Sequence, residues 1–303
     1  MAILFFKIKQ KLYKLFHPSW GEILMLHRVV QKGSLLDANR QMEITPELLE
    51  KAILDYQTKG YRFISMDEVH EIMSTPKRLK QKFVCFTFDD GYADNYELAY
   101  PIFKKYNCPF AIYITTDFPD GKALLWWYVL EDLLMSNTEL KLGDGSCYDC
   151  STIEKKNSAF DAVRQKIFNL PTESVKQSLA NLFVNYDYSF DDKNKTLALN
   201  WNQIEVLAKD NLCTIASHTV SHAVLTNMNV EQVETELRDS KIKLEQCIQK
   251  KVEHFAYPYG ASNESVMNLA KKVGYKTAVL ANGGMTRKGD RIIRLKRNSF
   301  FEQ

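Results

Sequence analysis

The chain has 303 residues, of which 45% are hydrophobic, and its 40 lysines and arginines against 37 aspartates and glutamates give a formal net charge of +3. This is the composition of an ordinary globular protein. The chain has only twelve glycines and eight prolines, and these low counts exclude a collagenous or low-complexity chain. Because so small a net charge builds no basic surface field, we expect no nucleic-acid partner.

The first sixteen residues form a basic amphipathic segment, in which four lysines interrupt a run of apolar residues. Its apolar block at residues 2–6 is too short for the core of a signal peptide, and no small-residue cleavage site follows it. Two interpretations stay open: residues 1–16 lie peripherally on an anionic membrane surface, or they dock on the domain. We therefore separate residues 1–20 from the domain and expect a cytoplasmic protein, at the inner membrane face under the first interpretation.

From residue 21 onward, strands alternate with helices. The predicted strands are residues 21–27, 61–65, 82–88, 110–115, 212–217, 254–257 and 276–280, and the predicted helices are 45–60, 95–106, 201–209, 230–249 and 264–273. This alternation indicates an α/β protein with a parallel sheet or barrel, in which chemistry is carried at the carboxyl ends of the strands. The pattern is interrupted at about residues 117–200, which we interpret as a mainly helical insertion or cap within a domain of residues 21–303.

The insertion begins with an aromatic run, Trp126, Trp127 and Tyr128. These side chains could form a wall on which a sugar stacks. At helical spacing, however, an aromatic cluster is more often the core of its own subdomain, and we favour that interpretation.

Polar residues follow several of the predicted strands. His218 and His222 lie four residues apart, a spacing that places both imidazoles on one side of a helical turn. With one carboxylate they give two nitrogens and one oxygen and leave a position open, as in a catalytic divalent-metal site, most naturally zinc. Asp89 and Asp90 are adjacent carboxylates at a buried strand end, where a cation or a proton must relieve their repulsion. A satisfied histidine pair or a helix N-cap explains each feature alone, but the combination favours a metal site.

Three sequence motifs resemble those of the polysaccharide deacetylase family. Thr87–Gly91 (TFDDG) resembles the first motif, His218–His222 (HTVSH) the second, and Phe255–Gly260 (FAYPYG) the third. The resemblance extends over about residues 21–300. It implies an irregular (β/α) barrel, here with an inserted, mainly helical segment, and a hydrolase that removes acetyl groups from sugars with a divalent metal.

The resemblance also implies roles for single residues. Asp89 matches the general base, and the metal ligands are Asp90, His218 and His222. Tyr259 matches the position whose backbone N–H stabilises the developing oxyanion.

The chain departs from the family pattern at several positions. Ala256 stands where an arginine usually orients the base, and no tryptophan follows Trp201 and no histidine follows His254, where the family usually supplies further site residues. A last predicted strand is the basic run at residues 291–297 (RIIRLKR), and its Arg294 or Arg297 could replace the missing arginine. The alternative is that this basic run is a surface edge.

The family usually supplies the general acid from a histidine near the C-terminus, which this chain lacks. A candidate for that role lies near the N-terminus. Residues 24–29 (LMLHRV) resemble the first segment of a circularly permuted branch that includes the poly-N-acetylglucosamine deacetylases. In that branch the histidine acts as general acid, which implies this role for His27. The alternative is a core histidine that ends a strand.

We therefore expect a metal-dependent hydrolase of carbon–nitrogen, non-peptide bonds, with Zn²⁺ as the cofactor and Co²⁺ or Ni²⁺ as alternatives. Its expected substrate is an N-acetylated sugar of a polysaccharide, or of an oligosaccharide or lipid-linked precursor. One alternative is a small-molecule amide hydrolase on the same barrel, which a capped pocket would favour over an open groove. The other is a catalytically inactive carbohydrate-binding protein, against which the intact carboxylate pair and both histidines argue.

Overall fold

The computed structural model describes residues 19–75, 79–170 and 174–300. The basic segment at residues 1–16 lies outside the described residues, so its membrane contact stays a prediction. Within the described ranges, no helix combines the length and apolar composition needed to cross a bilayer.

The main sheet is curled and its central strands are parallel. The described strands are β1 (Ser19–Leu26), β2 (Arg28–Val29), β3 (Glu43–Ile44), β4 (Arg62–Phe63), β5 (Phe83–Asp90), β6 (Phe110–Ile114), β7 (Glu139–Lys141), β8 (Cys147–Asp149), β9 (Cys213–Ser217), β10 (His254–Ala256), β11 (Thr277–Val279), β12 (Thr286–Arg287) and β13 (Asn298–Ser299). The order across the sheet is β11-β10-β9-β6-β5-β1-β12, and β4 pairs with β5 while β13 pairs with β1. The predicted α/β fold is confirmed, as a curled half-barrel.

Helices cover the sheet and fill the insertion. The described α-helices are α1 (Asp37–Arg40), α2 (Pro46–Thr58), α3 (Met66–Ser74), α4 (Tyr100–Lys105), α5 (Trp126–Ser136), α6 (Ile153–Phe168), α7 (Val175–Leu182), α8 (Phe190–Leu197), α9 (Trp201–Lys209), α10 (Val230–Ile248) and α11 (Glu264–Val273). The expected cap of α2 is present, because the Thr45 side chain accepts a hydrogen bond from the Leu48 N–H and Pro46 opens the helix. The predicted helix at residues 95–106 instead begins as a π-helical turn, Asn95–Ala99, ahead of Pro101, which has no N–H to donate.

Alternation along β5 builds two layers of core from one strand. Val84, Phe86 and Phe88 face the helices, whereas Phe83 and Cys85 face the interior of the curled sheet. All eight residues of β5 are buried, since helices cover one face and the sheet encloses the other.

A single segment near the C-terminus bridges β11, at one end of the curled sheet, and β1, which lies next to β12 at the other end. Leu295 forms an isolated parallel bridge with Val279 of β11, and β13 pairs in parallel with Leu24 and Met25 of β1. The last predicted strand, residues 291–297, is therefore not a regular strand: it contacts β11 through Leu295, and the residues after it pair with β1 as β13. Arg297 lies between these two contacts.

The insertion between β6 and α9 has a hydrophobic core of its own. The β7–β8 hairpin and helices α5 to α8 lie here, and their apolar faces meet in a separate buried cluster. Trp126, Trp127 and Tyr128 of α5 are buried in it, at 7%, 9% and 5% exposure. The predicted aromatic core of the insertion is thus present.

Candidate active site

Three candidate metal ligands meet at the carboxyl edge of the parallel strands. Asp90 ends β5, and His218 and His222 follow β9. Asp90 Oδ1 lies 3.5 Å from His218 Nε2 and 3.3 Å from His222 Nε2, and one ligand atom from each residue lies within 4.8 Å of the others. Asp90 Oδ1 is buried with no hydrogen-bond partner among the described residues. Two imidazole nitrogens and an orphaned carboxylate oxygen are a donor set that fits a divalent transition metal.

The backbone at this edge is strained at the ligands themselves. Asp90, Thr219 and His222 have φ of 76°, 70° and 59°, values that non-glycine residues rarely adopt. Alternation along a strand would place Asp89 and Asp90 on opposite faces, and the left-handed φ of Asp90 breaks that alternation. The predicted helical turn at residues 218–222 is wrong, because these residues form an irregular loop and the two imidazoles meet through its left-handed residues.

Polar contacts hold the loop of residues 218–222 in place. His218 Nδ1–H donates to the Ala256 carbonyl at 2.8 Å, so Nε2 is the nitrogen directed at Asp90. The Glu236 carboxylate of α10 accepts hydrogen bonds from the N–H of Val220 at 2.8 Å and of Ser221 at 3.0 Å, and from the Ser221 hydroxyl at 2.7 Å. Ala256, which replaces an arginine of the family pattern, thus supports a ligand through its backbone.

Burial sets the protonation of the two histidines. It lowers the pKa of His218 and of His222 to about 4, so both are neutral imidazoles at neutral pH, the form that binds metals. Burial also raises the pKa of Asp90. A cation is the natural partner for a carboxylate in this position.

Asp89 lies beside this group in a different environment. Arg297 donates from its two terminal nitrogens to the two Asp89 oxygens, each at 2.6 Å, and from Nε to the Leu280 carbonyl at 2.9 Å. Burial alone would raise the pKa of Asp89, but the Arg297 charge, with smaller help from His218, holds that pKa well below its usual value. Asp89 is therefore ionised throughout the physiological pH range.

The two arginines left open by the sequence are now distinguishable. Arg297 is fully buried behind Asp89, with its guanidinium 5.3 Å from the Tyr113 ring centroid. Arg294 is exposed on the outer surface. The structure brings Arg297 to the carboxylate and leaves Arg294 away from it.

His27 directly follows β1 and lines the same cavity as Asp89, Asp90 and both histidine ligands. Its carbonyl accepts a hydrogen bond from Asn95 Nδ2 at 2.8 Å. The next residue, Arg28, pairs through Nε with Asp94 Oδ2 at 2.7 Å and lies 5.1 Å from the Tyr128 ring centroid. These contacts fix the backbone on both sides of His27.

The cavity that contains these groups is small and partly covered. Its volume is about 250 Å³, and its lining adds Tyr259 and residues of two covering segments to the polar groups: Ala38, Asn39, Gln41 and Met42 from the N-terminal part, and Trp126, Trp127, Phe160, Arg164 and Phe168 from the insertion. The Tyr259 ring lies 4.5 Å from the His222 ring. Trp126 and Trp127 therefore both form the core of the insertion and face the cavity.

Sequence reasoning missed Glu236 and Arg164. Glu236 is one of many charged residues on α10, and nothing in its local pattern marks it as a support for a distant loop. Arg164 lies in a polar helix of the insertion, where the sequence singles out only the aromatic run at residues 126–128. Their roles depend on how α10 and α6 pack against the site.

Comparison with known proteins identifies the family of this chain. A family model described as polysaccharide deacetylase matches residues 77–141 and 162–278, which is more than half of the chain. The curated relative YxkH of Bacillus subtilis (strain 168) is 22% identical over 267 residues, 88% of this chain and 66% of the relative. The chain thus spans about two thirds of that relative's length.

Solved structures with the same fold cover nearly the whole chain. Streptococcus pyogenes deacetylase PplD, determined in complex with acetate, is 21% identical with a TM-score of 0.63, over 92% of this chain and 91% of that one. IcaB from Ammonifex degensii is 17% identical with a TM-score of 0.62, over 93% of this chain and 92% of that one. At these identities the likeness establishes the fold.

Proposed function

The chain belongs to the polysaccharide deacetylase family, whose members act on carbon–nitrogen amide bonds, and we propose that it removes an N-acetyl group from a sugar by metal-dependent hydrolysis. One observation carries this proposal: the Asp90, His218 and His222 ligand atoms converge beside a second carboxylate, Asp89, that is held ionised. A ligand set next to an ionised carboxylate that can accept a proton is what hydrolysis of an amide by water requires.

Asp90, His218 and His222 would hold the cation. When bound, the cation supplies Lewis-acid activation of the acetyl carbonyl and of the attacking water. Zn²⁺ suits the donor set best, and Co²⁺ or Ni²⁺ suit it as alternatives.

The chain's own residues move the protons. Asp89, oriented by Arg297, accepts a proton from the water as the water oxygen bonds to the acetyl carbon. The backbone N–H of Tyr259 donates to the oxyanion that develops. His27 donates a proton to the sugar nitrogen as the carbon–nitrogen bond breaks, so that acetate and a free amine leave.

The size of the cavity supports a single acetylated sugar as the bound unit. A volume of about 250 Å³ is at the lower limit of small-molecule pockets, so it suits a chain end or a short precursor. The same roof favours the second candidate function, hydrolysis of a small-molecule amide on this barrel. Comparing acetate release from N-acetylglucosamine with release from simple acetamides separates the two.

Acetate release from N-acetylglucosamine and its oligomers tests the proposal. We expect release to stop after treatment with a chelator and to return when Zn²⁺, Co²⁺ or Ni²⁺ is added. Asp89→Asn and His27→Ala should each lower the rate by about 10²- to 10⁴-fold, the usual contribution of a general acid or base. His70→Ala, at a histidine of α3 outside the cavity, is the matched control. Release that survives the chelator and both substitutions would overturn the assignment.

A further inference from the structure

Arg164 is a charged side chain of the cavity wall that lacks an acidic partner. Its Nε is buried without a hydrogen-bond partner among the described residues, and no carboxylate of the described part of the chain pairs with its guanidinium. A buried donor without a partner destabilises the folded protein. The fold itself therefore leaves this guanidinium unsatisfied.

The helix that carries Arg164 directs it at the cavity. Phe160, Arg164 and Phe168 are spaced four residues apart on α6, so they share one face of the helix, and all three line the cavity. The guanidinium lies 5.5 Å from the Phe168 ring centroid. A guanidinium over an aromatic ring can still donate from its N–H groups to a planar acceptor.

Ring contacts connect Arg164 to a metal ligand. The Phe168 ring lies 5.3 Å from the Tyr259 ring, which lies 4.5 Å from the His222 ring. Arg164 is thus separated from His222 by two aromatic rings. A sugar whose acetamido group is at the ligands would extend one of its other substituents toward this guanidinium.

The charge of the cavity favours an anion at this position. The negative charge of Asp89 is balanced by the guanidinium of Arg297, which donates two hydrogen bonds to it. Asp90 is the ligand of a divalent cation in the proposed mechanism. Among the described lining residues, the positive charge of Arg164 is then left without a negative counterpart.

We propose that Arg164 binds an anionic group, a phosphate or a carboxylate, carried by the acetylated sugar on a substituent other than the acetamido group. The inference rests on the proposed function, because it places the acetamido group at the metal ligands. A guanidinium binds either anion through two parallel hydrogen bonds.

Three probes test this inference in the full-length, metal-loaded protein. They are methyl N-acetylglucosaminide, which is neutral, N-acetylglucosamine 1-phosphate, and N-acetylmuramic acid, which carries a carboxylate. We expect kcat/KM for acetate release to be about tenfold or more higher for at least one anionic sugar than for the neutral one. Which anionic sugar is preferred distinguishes phosphate from carboxylate.

Variants assign the preference to Arg164. Arg164→Gln should lower the ratio of kcat/KM for the anionic sugar to kcat/KM for the neutral sugar to about one, and Arg164→Lys should keep part of that ratio because the charge remains without the planar fork. The matched control is Arg238→Gln, at an exposed arginine that pairs with Asp239. If wild type shows no preference, or Arg164→Gln retains it, the inference is wrong. Should the glutamine variant fail to fold, the wild-type ratio and the lysine variant decide.

A binding measurement separates this inference from the proposed function. Titration calorimetry of the same sugars into Asp89→Asn, with and without Arg164→Gln, requires no turnover. Tighter binding of an anionic sugar that depends on Arg164, without acetate release by wild type, would support the inference and contradict the proposed activity. Release of acetate from all three sugars at equal rates would support the proposed activity and contradict this inference.

Discussion

Adjacent carboxylates at the end of β5 have different partners and therefore different chemistry. Asp89 accepts both of its hydrogen bonds from one buried guanidinium, at 2.6 Å each, whereas Asp90 Oδ1 faces two imidazole nitrogens and has no hydrogen-bond partner among the described residues. The guanidinium keeps Asp89 charged and oriented, and the imidazoles leave Asp90 able to share a cation. A base and a ligand thus arise from the same residue type through their surroundings.

Substituting Arg297 tests this division of roles. Arg297→Leu leaves Asp89 as a buried charge without its partner, so we expect the free energy of unfolding to fall by about 3–5 kcal/mol. In the fraction that folds, kcat should fall by about 100-fold because Asp89 loses its orientation. KM should change little because the substrate keeps its contacts. Urea denaturation and steady-state kinetics of acetate release measure the two effects.

The matched control for that prediction is Arg294→Leu. Arg294 is exposed and three residues away in the chain, so both the stability and kcat should stay near wild type, within about 0.5 kcal/mol. Equal losses in the two variants would mean that Arg297 has no special relation to Asp89.

At the scale of secondary-structure elements, the site depends on one long helix that contributes no ligand. Helix α10 presents Glu236, whose carboxylate accepts three hydrogen bonds from Val220 and Ser221 between the two histidines. These bonds compensate the backbone strain at Thr219 and His222. The helix therefore acts as a support for the ligand loop.

Neutralising this support should weaken metal binding without removing a ligand. Glu236→Gln replaces one accepting oxygen with a donor, so we expect the affinity for Zn²⁺ to fall by about 10- to 100-fold. Competition with a chelator measures the affinity. Glu234→Gln, on the same helix but paired with Lys272 at the surface, should leave the affinity unchanged, and a loss of equal size there would contradict the prediction.

The connection between β6 and the insertion contains an acid whose ionisation opposes folding. Burial, with the nearby charges of Glu236 and Asp120, raises the pKa of Asp117 from its ordinary value of 3.8 to about 6. Because the folded protein holds this proton at pH values where the unfolded chain has lost it, stability falls as the pH rises from about 3.8 to about 6.

Asp117→Asn should remove that pH dependence. We expect the variant to be more stable than wild type by about 1–2 kcal/mol at pH 7, after allowance for the partial exposure of Asp117, and about equal to it near pH 4. Urea denaturation at the two pH values measures the difference. Asp161→Asn, at an exposed position of α6, is the control. A gain that is equal at both pH values would show that the ionisation of Asp117 is not its cause.

At the scale of the whole molecule, two distant segments together roof the cavity. Glu131 of α5 accepts hydrogen bonds from Asn39 at 2.5 Å and from the Ser34 hydroxyl, and Asn39 also donates to the Trp127 carbonyl at 3.3 Å. The insertion and the segment at residues 34–42 are thus joined, and both line the cavity as a partial roof.

The roof leads us to predict a preference for chain ends. We expect kcat/KM for a single or terminal N-acetylglucosamine unit to exceed that for an internal unit of a long oligomer by at least about tenfold, or about 1.4 kcal/mol. Mass spectrometry that locates the deacetylated unit in a hexamer tests this, and the monomer serves as reference. Random deacetylation along the hexamer at equal rates would mean that the roof opens to the polymer.

The sequence by itself determined the strand–helix alternation, the candidate ligands and the family. Each of these is local: buried strands are read from short apolar runs, and Asp89, Asp90, His218 and His222 stand at the ends of such runs. Parallel strands end at one edge, so their terminal side chains were expected to meet.

Only the tertiary structure decided which arginine reaches Asp89, how the histidine loop is shaped, and which insertion residues face the cavity. Arg297 and Asp89 are 208 residues apart, and they meet because residues 295–299 bridge β11 and β1. Arg294 is also an arginine of this basic run. It differs from Arg297 in that its side chain is exposed, whereas that of Arg297 is buried beside Asp89. Arg164 and Glu236 likewise depend on the packing of whole helices, which no local pattern of residues encodes.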